Sequence, residues 1–246
     1  MFSAWFGRHN FAIDDRLFDA LLARYRRFGW LDPSQRRTLR SHCEKFLRTK
    51  ALEPVGDFEP SAEQRLALAM QACLPILSLG LDYYREWRGI VLYPTEFLPT
   101  HEYMDEDGVV HVERRAESGE ALPSGPIVLA ADEILRDGSD GVNVIVHECA
   151  HKLDMLNGDA NGFPPLHGDM SHAEWTRVFN TAFEELRRRD ERGEDTGLDP
   201  YAGESPAEFF AVASEAFFEQ AHALRTHYPA VHGQLRAFYR LDPPLA

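Results

Sequence analysis

The run Val144-Ile-Val-His147-Glu148-Cys-Ala-His151 constrains this chain more than any other stretch. It contains no Gly or Pro and has an apolar lead-in, so it reads as a helix, on which His147 and His151 lie one turn apart on a single face. Two imidazoles so placed can grip one Zn²⁺, while Glu148 lies beside the metal as a base for its water. Gly141 and Asn143 open the segment, and Asn157-Gly158 closes it. With 11 His in the chain, a chance pairing is the alternative. Val144, Ile145 and Val146 would then mark only a buried helix.

The 246 residues suffice for one large domain or two small ones with a real core. A net charge of −14 argues against nucleic acid, whose binding rests on clustered Lys and Arg, and against an anionic membrane surface. The basic triplet Arg187-Arg188-Arg189 ends a helical pattern, where cations suit the negative end of the helix dipole. Cys43, Cys73 and Cys149 are odd in number, far apart and without a Cys-x-x-Cys, which points to a reducing compartment, the cytoplasm. The first residues lack an apolar stretch long enough for a signal peptide, and no segment reaches the length of a membrane helix.

Apolar residues at helical spacing predict a helix from Leu17 through Phe28, ending at Gly29. A second follows the Asp32-Pro33 cap and carries Leu39, Cys43, Phe46 and Leu47. Ser61 and Gln64 form a capping box for a third, which runs through Cys73. Strands follow at Gly89-Ile-Val-Leu-Tyr93, at Val109 to Val112 after a turn at Asp105-Glu-Asp-Gly108, and at Pro126-Ile-Val-Leu-Ala130. Strands followed by the motif helix make an α+β pattern, mostly helical, with a small mixed sheet beside that helix. An edge strand there can pair with extended substrate. Further helices carry Trp175 to Leu186, start at Ser205-Pro206, and include Val231 to Tyr239. Residues 190–200 are charged and read as a mobile segment. The division expected is a helical part over 1–80 packed on a catalytic part over 81–246, in one continuous domain.

A catalytic zinc takes three protein ligands and leaves one position open. A third His six residues past His151 is ruled out, because Asp154 and Asn157 stand where Gly and His are needed. Asp154 shares the histidine face; it can ligate, although a hydrogen bond to a ligand His suits it better. Glu208 is the stronger candidate: it lies in the apolar Ala-Glu-Phe-Phe-Ala-Val-Ala, where an unpaired carboxylate is costly to bury. The alternative is an exposed Glu on an amphipathic helix. Glu215, two turns further on the same face, is the runner-up or a partner behind the ligands. His111, within a strand, is either a surface residue or an extra metal ligand.

His147-Glu-Cys-Ala-His-Lys-Leu-Asp-Met, Asp199-Pro-Tyr and Pro206-Ala-Glu-Phe-Phe-Ala-Val-x-Ser-Glu-x-Phe-Phe together resemble the Mlc titration factor A family of zinc metallopeptidases. Gln71-Ala-Cys-Leu, Tyr93-Pro-Thr-Glu-Phe, Asp105-Glu-Asp-Gly-Val-Val and Phe238-Tyr-Arg-x-Asp-Pro extend that resemblance over nearly the whole chain. Tyr201, seven residues before Glu208-Phe-Phe-Ala, is similar to the catalytic core of anthrax lethal factor, where the matching Glu ligates zinc and the matching Tyr assists the transition state. The resemblance therefore implies a zincin-like (gluzincin) fold with one Zn²⁺ per chain on His147, His151 and Glu208. It also implies Glu148 as general base and Tyr201 as donor to the oxyanion. Cys149 departs from the family, which commonly has a bulkier aromatic there; a buried inert thiol and a redox thiol are the two readings.

The implied activity is peptide hydrolysis, of aminopeptidase type on short substrates. No residue is assigned to a free α-amino group, with Glu204 and Glu174 as candidates. His111 or the 190–200 segment can serve as a block on the open zinc position. The resemblance also implies a partner, the Mlc transcriptional repressor of sugar uptake. The alternative function is thus a non-catalytic regulatory protein that sequesters the repressor, with zinc structural or vestigial.

Overall fold

The computed structural model describes residues 12–97, 100–104, 110–114, 118–138 and 140–244, with the backbone alone for 100–104 and 110–114. Helix α1 (Asp15–Arg24) starts at Asp14, whose carboxylate accepts from the amides of Arg16 and Leu17. Where the periodicity predicts one helix to Gly29, the chain breaks at an extended Tyr25 and resumes as α2 (Arg26–Gly29). Burial explains the break. Tyr25 and Arg27 are 1% and 2% exposed, and residues two apart on a continuous helix point about 200° apart.

Both capping boxes form: Asp32 with Gln35 opens α3 (Pro33–Thr49), and Ser61 with Gln64 opens α4 (Ala62–Cys73). Cys43 and Cys73 are buried on these helices, as expected of packing residues. Between the helices lies β1 (Ala51–Pro54), too short and too irregular in pattern to be read from sequence. It pairs with β2 (Gly89–Tyr93), which pairs with β6 (Ile127–Ala130), all parallel. The short β5 (Gly119–Ala121) runs antiparallel to β6 and ends the sheet, whose order is β1-β2-β6-β5. A separate antiparallel ribbon joins β3 (Thr100–Met104) to β4 (Val110–Arg114), with Tyr103 opposite His111. The turn expected at Asp105 to Gly108 and the side chain of His111 lie outside the described residues.

Helix α5 (Val144–Asp154) carries the motif and rests on β5 and β6. The chain continues through α6 (His172–Glu191), α7 (Pro206–Glu219), α8 (Ala221–His227) and α9 (Pro229–Tyr239). Because α7 is apolar nearly all round, it sits at the centre of the helical layer and packs against α5. Its Phe209, Phe210 and Phe217 are each at most 1% exposed, and burial of each contributes about 2–3 kcal/mol. The result is a mostly helical α+β fold with a small mixed sheet beside the motif helix. Among the described residues, no helix is long and apolar enough to cross a membrane.

Candidate metal centre

Helix α5 begins where Asn143 Oδ1 accepts from the Val146 amide at 3.1 Å. One turn in, His147 and His151 project side by side, ring centroids 4.7 Å apart. Helix α7 begins at Ser205, whose hydroxyl accepts from the Glu208 amide, with Pro206 in the first helical position. That start places Glu208 in the first turn of α7, facing the two histidines. Its Oε2 lies 3.0 Å from His147 Nε2 and its Oε1 3.4 Å from His151 Nε2, while the two Nε2 atoms are 3.1 Å apart. One donor atom from each of the three residues falls within 4.8 Å of the others.

Glu215 lies behind this cluster. Its Oε1 is 2.7 Å from His147 Nδ1, and its Oε2 accepts from the Asn143 amide at 2.5 Å. A protonated His147 donates from both ring nitrogens, to Glu215 and Glu208; a neutral one that keeps its Nδ1–H for Glu215 presents a lone pair at Nε2. That lone pair faces a carboxylate oxygen and a second imidazole nitrogen. Three acceptors converge on one point, an arrangement that requires a cation or a proton between them. The spacings suit an ion: bonds of about 2.0–2.1 Å in tetrahedral geometry set ligands roughly 3.4 Å apart. The donor set fits a divalent metal.

The electrostatics follow the same geometry. Burial would raise the Glu208 pKa, but its bonds to both imidazoles outweigh that and hold the carboxyl well below the usual range. Burial would lower His147, yet Glu208 and Glu215 raise it well above an ordinary histidine. Glu148, 5% exposed, is pushed up to about 7 by burial, against the pull of His147 and His151. Tyr201 stands on a 3-10 turn (Pro200–Gly203) pinned by Asp199, whose carboxylate accepts from the Tyr201 amide. Its ring centroid is 6.1 Å from that of His147. His147, Glu148, Tyr201 and Glu215 all line one cleft of about 590 Å³.

Asp154 requires a correction. The hydrogen bond expected between it and a ligand histidine is not made. Both its oxygens accept instead from the amides of Asn161, Gly162 and Phe163, and His151 Nδ1 is buried without a partner among the described residues. The loop after α5 leaves three amides pointing inward, and a carboxylate at the end of the helix satisfies them. Glu174 and Glu204 do not line the cleft, whose acidic wall is Asp140, Asp195 and Asp199. In the 190–200 stretch the Thr196 carbonyl accepts from Tyr228 at 2.5 Å, and residues 195 and 197–199 form part of the cleft wall. Cys149 is fully buried and its thiol is pushed up to about 12 by burial, so it is held as an unreactive thiol.

The sequence reading passed over a buried polar chain behind the site. Glu219 Oε1 pairs with Arg27 Nε at 2.8 Å and accepts from Asn143 Nδ2 at 2.6 Å. Arg27 also donates to Gln71, which donates in turn to the Ile134 carbonyl at 2.8 Å. Gln71 belongs to a stretch that carried the family resemblance, the only signal of this network in the sequence.

A model of the family described as glucose-regulated metallo-peptidase M90 matches residues 6–240. The chain belongs to this family. Several relatives of this M90 chain bear the name Mlc titration factor A. That of Cronobacter sakazakii is 35% identical over 245 residues, covering 98% of this chain and 92% of the relative. That of Escherichia fergusonii is 35% identical over 219 residues, 87% of this chain and 82% of the relative. That of Salmonella agona is 37% identical over 207 residues, 82% and 77% of the two chains.

Proposed function

We propose that this M90 chain is a zinc peptidase of aminopeptidase type, with His147, His151 and Glu208 as ligands and Glu148 as general base. The observation that carries it is the convergence of two imidazole nitrogens and a carboxylate beside a cleft that His147, Glu148 and Tyr201 line. A divalent metal held there supplies Lewis-acid polarisation of the substrate carbonyl and acidifies water. Glu148 takes the proton from the attacking water and returns it to the leaving amine. The Tyr201 hydroxyl donates to the oxyanion of the tetrahedral intermediate without adding charge. Glu215 fixes the tautomer and orientation of His147. An extended substrate lies beside β5, the end strand of the sheet next to Glu148.

The test is Glu148→Gln, assayed on aminoacyl 4-nitroanilides. Hydrolysis is expected to fall by about 10²–10⁴-fold, with metal content unchanged. Undiminished hydrolysis removes Glu148 from its role.

The name shared by the relatives favours a second reading, in which the chain binds a transcriptional repressor of the Mlc kind in the cytoplasm. The two readings separate cleanly. Glu148→Gln should still bind the purified repressor in a pull-down, because Glu148 is 5% exposed and offers little surface to a partner.

A further inference from the structure

Strand β5 meets the side chains of α5 at Gly119. A Cβ at that position would stand 2.6 Å from Glu148 Oε1, 2.9 Å from Glu148 Cγ and 2.5 Å from Val144 Cγ1. Gly119 is not among the residues with positive φ, so the backbone conformation does not call for glycine; the close approach does.

Which part yields to an added methyl depends on what is held in place. Gly119, Glu120 and Ala121 pair with Leu129, Val128 and Ile127 of β6, and the Ser118 carbonyl accepts from the Ala130 amide at 2.8 Å. Beyond the strand, Lys152 reaches across from α5, one turn after Glu148. Its Nζ donates to the Leu122 carbonyl at 2.6 Å and to the Gly125 carbonyl at 3.0 Å. The strand is thus fastened to β6 along one edge and to α5 at its far end. Helix α5 is itself wedged between the sheet and α7. Close-packed backbones give little, so the atoms left to move are the side chains of Val144 and Glu148.

We propose that Gly119 is a positioning residue for Glu148. Its missing side chain leaves the slot in which the Glu148 carboxylate rests, and the Lys152 clamp keeps that slot at its width. A larger residue at 119 swings the carboxylate away from the place where it takes the proton from water. The kinetic consequence rests on the peptidase reading; the steric one does not.

Two measurements on the full-length, zinc-loaded protein test this. In the first, Gly119→Ala is made in the wild type and in Glu148→Asp, which removes the 2.6 Å contact with Oε1 and keeps the Cγ one. With alanine 4-nitroanilide as substrate, Gly119→Ala should lower kcat about 10- to 100-fold in the wild type, with KM and zinc content nearly unchanged. In the Glu148→Asp background, with the Oε1 contact gone, the same change should cost clearly less than in the wild type. Equal losses in both backgrounds, or no loss in the wild type, overturn the proposal. In the second, urea midpoints are compared without any assay of activity. Gly119→Ala should lower the midpoint in the wild type and leave it unmoved in the Val144→Ala, Glu148→Ala double variant, which clears all three contacts. An equal drop in both shows that Gly119 serves the strand alone and overturns the proposal. If the wild type hydrolyses nothing, the peptidase reading falls, and the midpoints still decide the role of Gly119.

Discussion

The two ends of α7 handle the same problem differently. Glu208 and Glu219 are eleven residues apart, about three helical turns, so they share one face with Glu215 between them. At the Glu219 end the buried carboxylate meets a cation built into the protein, Arg27, in a pair whose side chains are 1% and 3% exposed. At the Glu208 end the carboxylate meets two imidazoles and, among the described residues, no Lys or Arg. A charge that the protein compensates itself is structural. A charge left facing only imidazoles is met by a proton on them or by a cation from outside.

The sharpest way to break this contrast is Glu208→Gln. Metal content after dialysis against a competing chelator should fall to near zero, a larger loss than the 10–100-fold typical of a group behind the ligands. Retained metal would mean that the two ends are alike. Next in size is Arg27→Met, which strands Glu219 without its cation. Urea denaturation should show a loss of about 3–5 kcal/mol, with zinc stoichiometry unchanged. Glu215→Gln, between the two ends, should weaken zinc binding about 10–100-fold in chelator competition, with unfolding stability close to that of the wild type.

The smallest effect concerns a third way of burying charge. Lys50, 9% exposed, has no carboxylate partner among the described residues; its ammonium donates to the carbonyls of Tyr84 and Trp87 and lies 4.2 Å from the Trp87 ring centroid. Burial pulls its pKa down from 10.5 to about 8. The folded state therefore binds fewer protons than the unfolded chain between those values. Its favourable contribution is complete above pH 10.5 and is lost as pH falls through 8. From pH 7 to pH 10 the wild type should gain about 1–3 kcal/mol relative to Lys50→Met. Parallel pH profiles of the two proteins would show that Lys50 is solvated after all.

Legibility tracked distance along the chain. The motif histidines and Glu148 stood out because a helical turn puts residues four apart on one face, whatever the rest of the fold does. The capping boxes at Asp32 and Ser61 were readable for the same local reason. Glu208 was readable by contrast, as a lone carboxylate among Phe and Ala. Arg27 was not: within Arg24-Tyr-Arg-Arg27 it looks like any solvated cation, and only the break at Tyr25 turns it inward. Asp154 misled because helical phase places it on the histidine face, while its carboxylate satisfies three loop amides seven to nine residues later.

By itself, the sequence determined the helix that presents two imidazoles and a base, the membership of a metallopeptidase family, and a chain apolar enough to bury α7. The tertiary structure alone decided which carboxylate meets an arginine, that Asp154 serves a loop, and that Gly119 lies against Glu148. The reason is range. Helical geometry acts over four residues, whereas the meeting of β5, α5 and α7 depends on how distant apolar faces pack, and no local pattern encodes that.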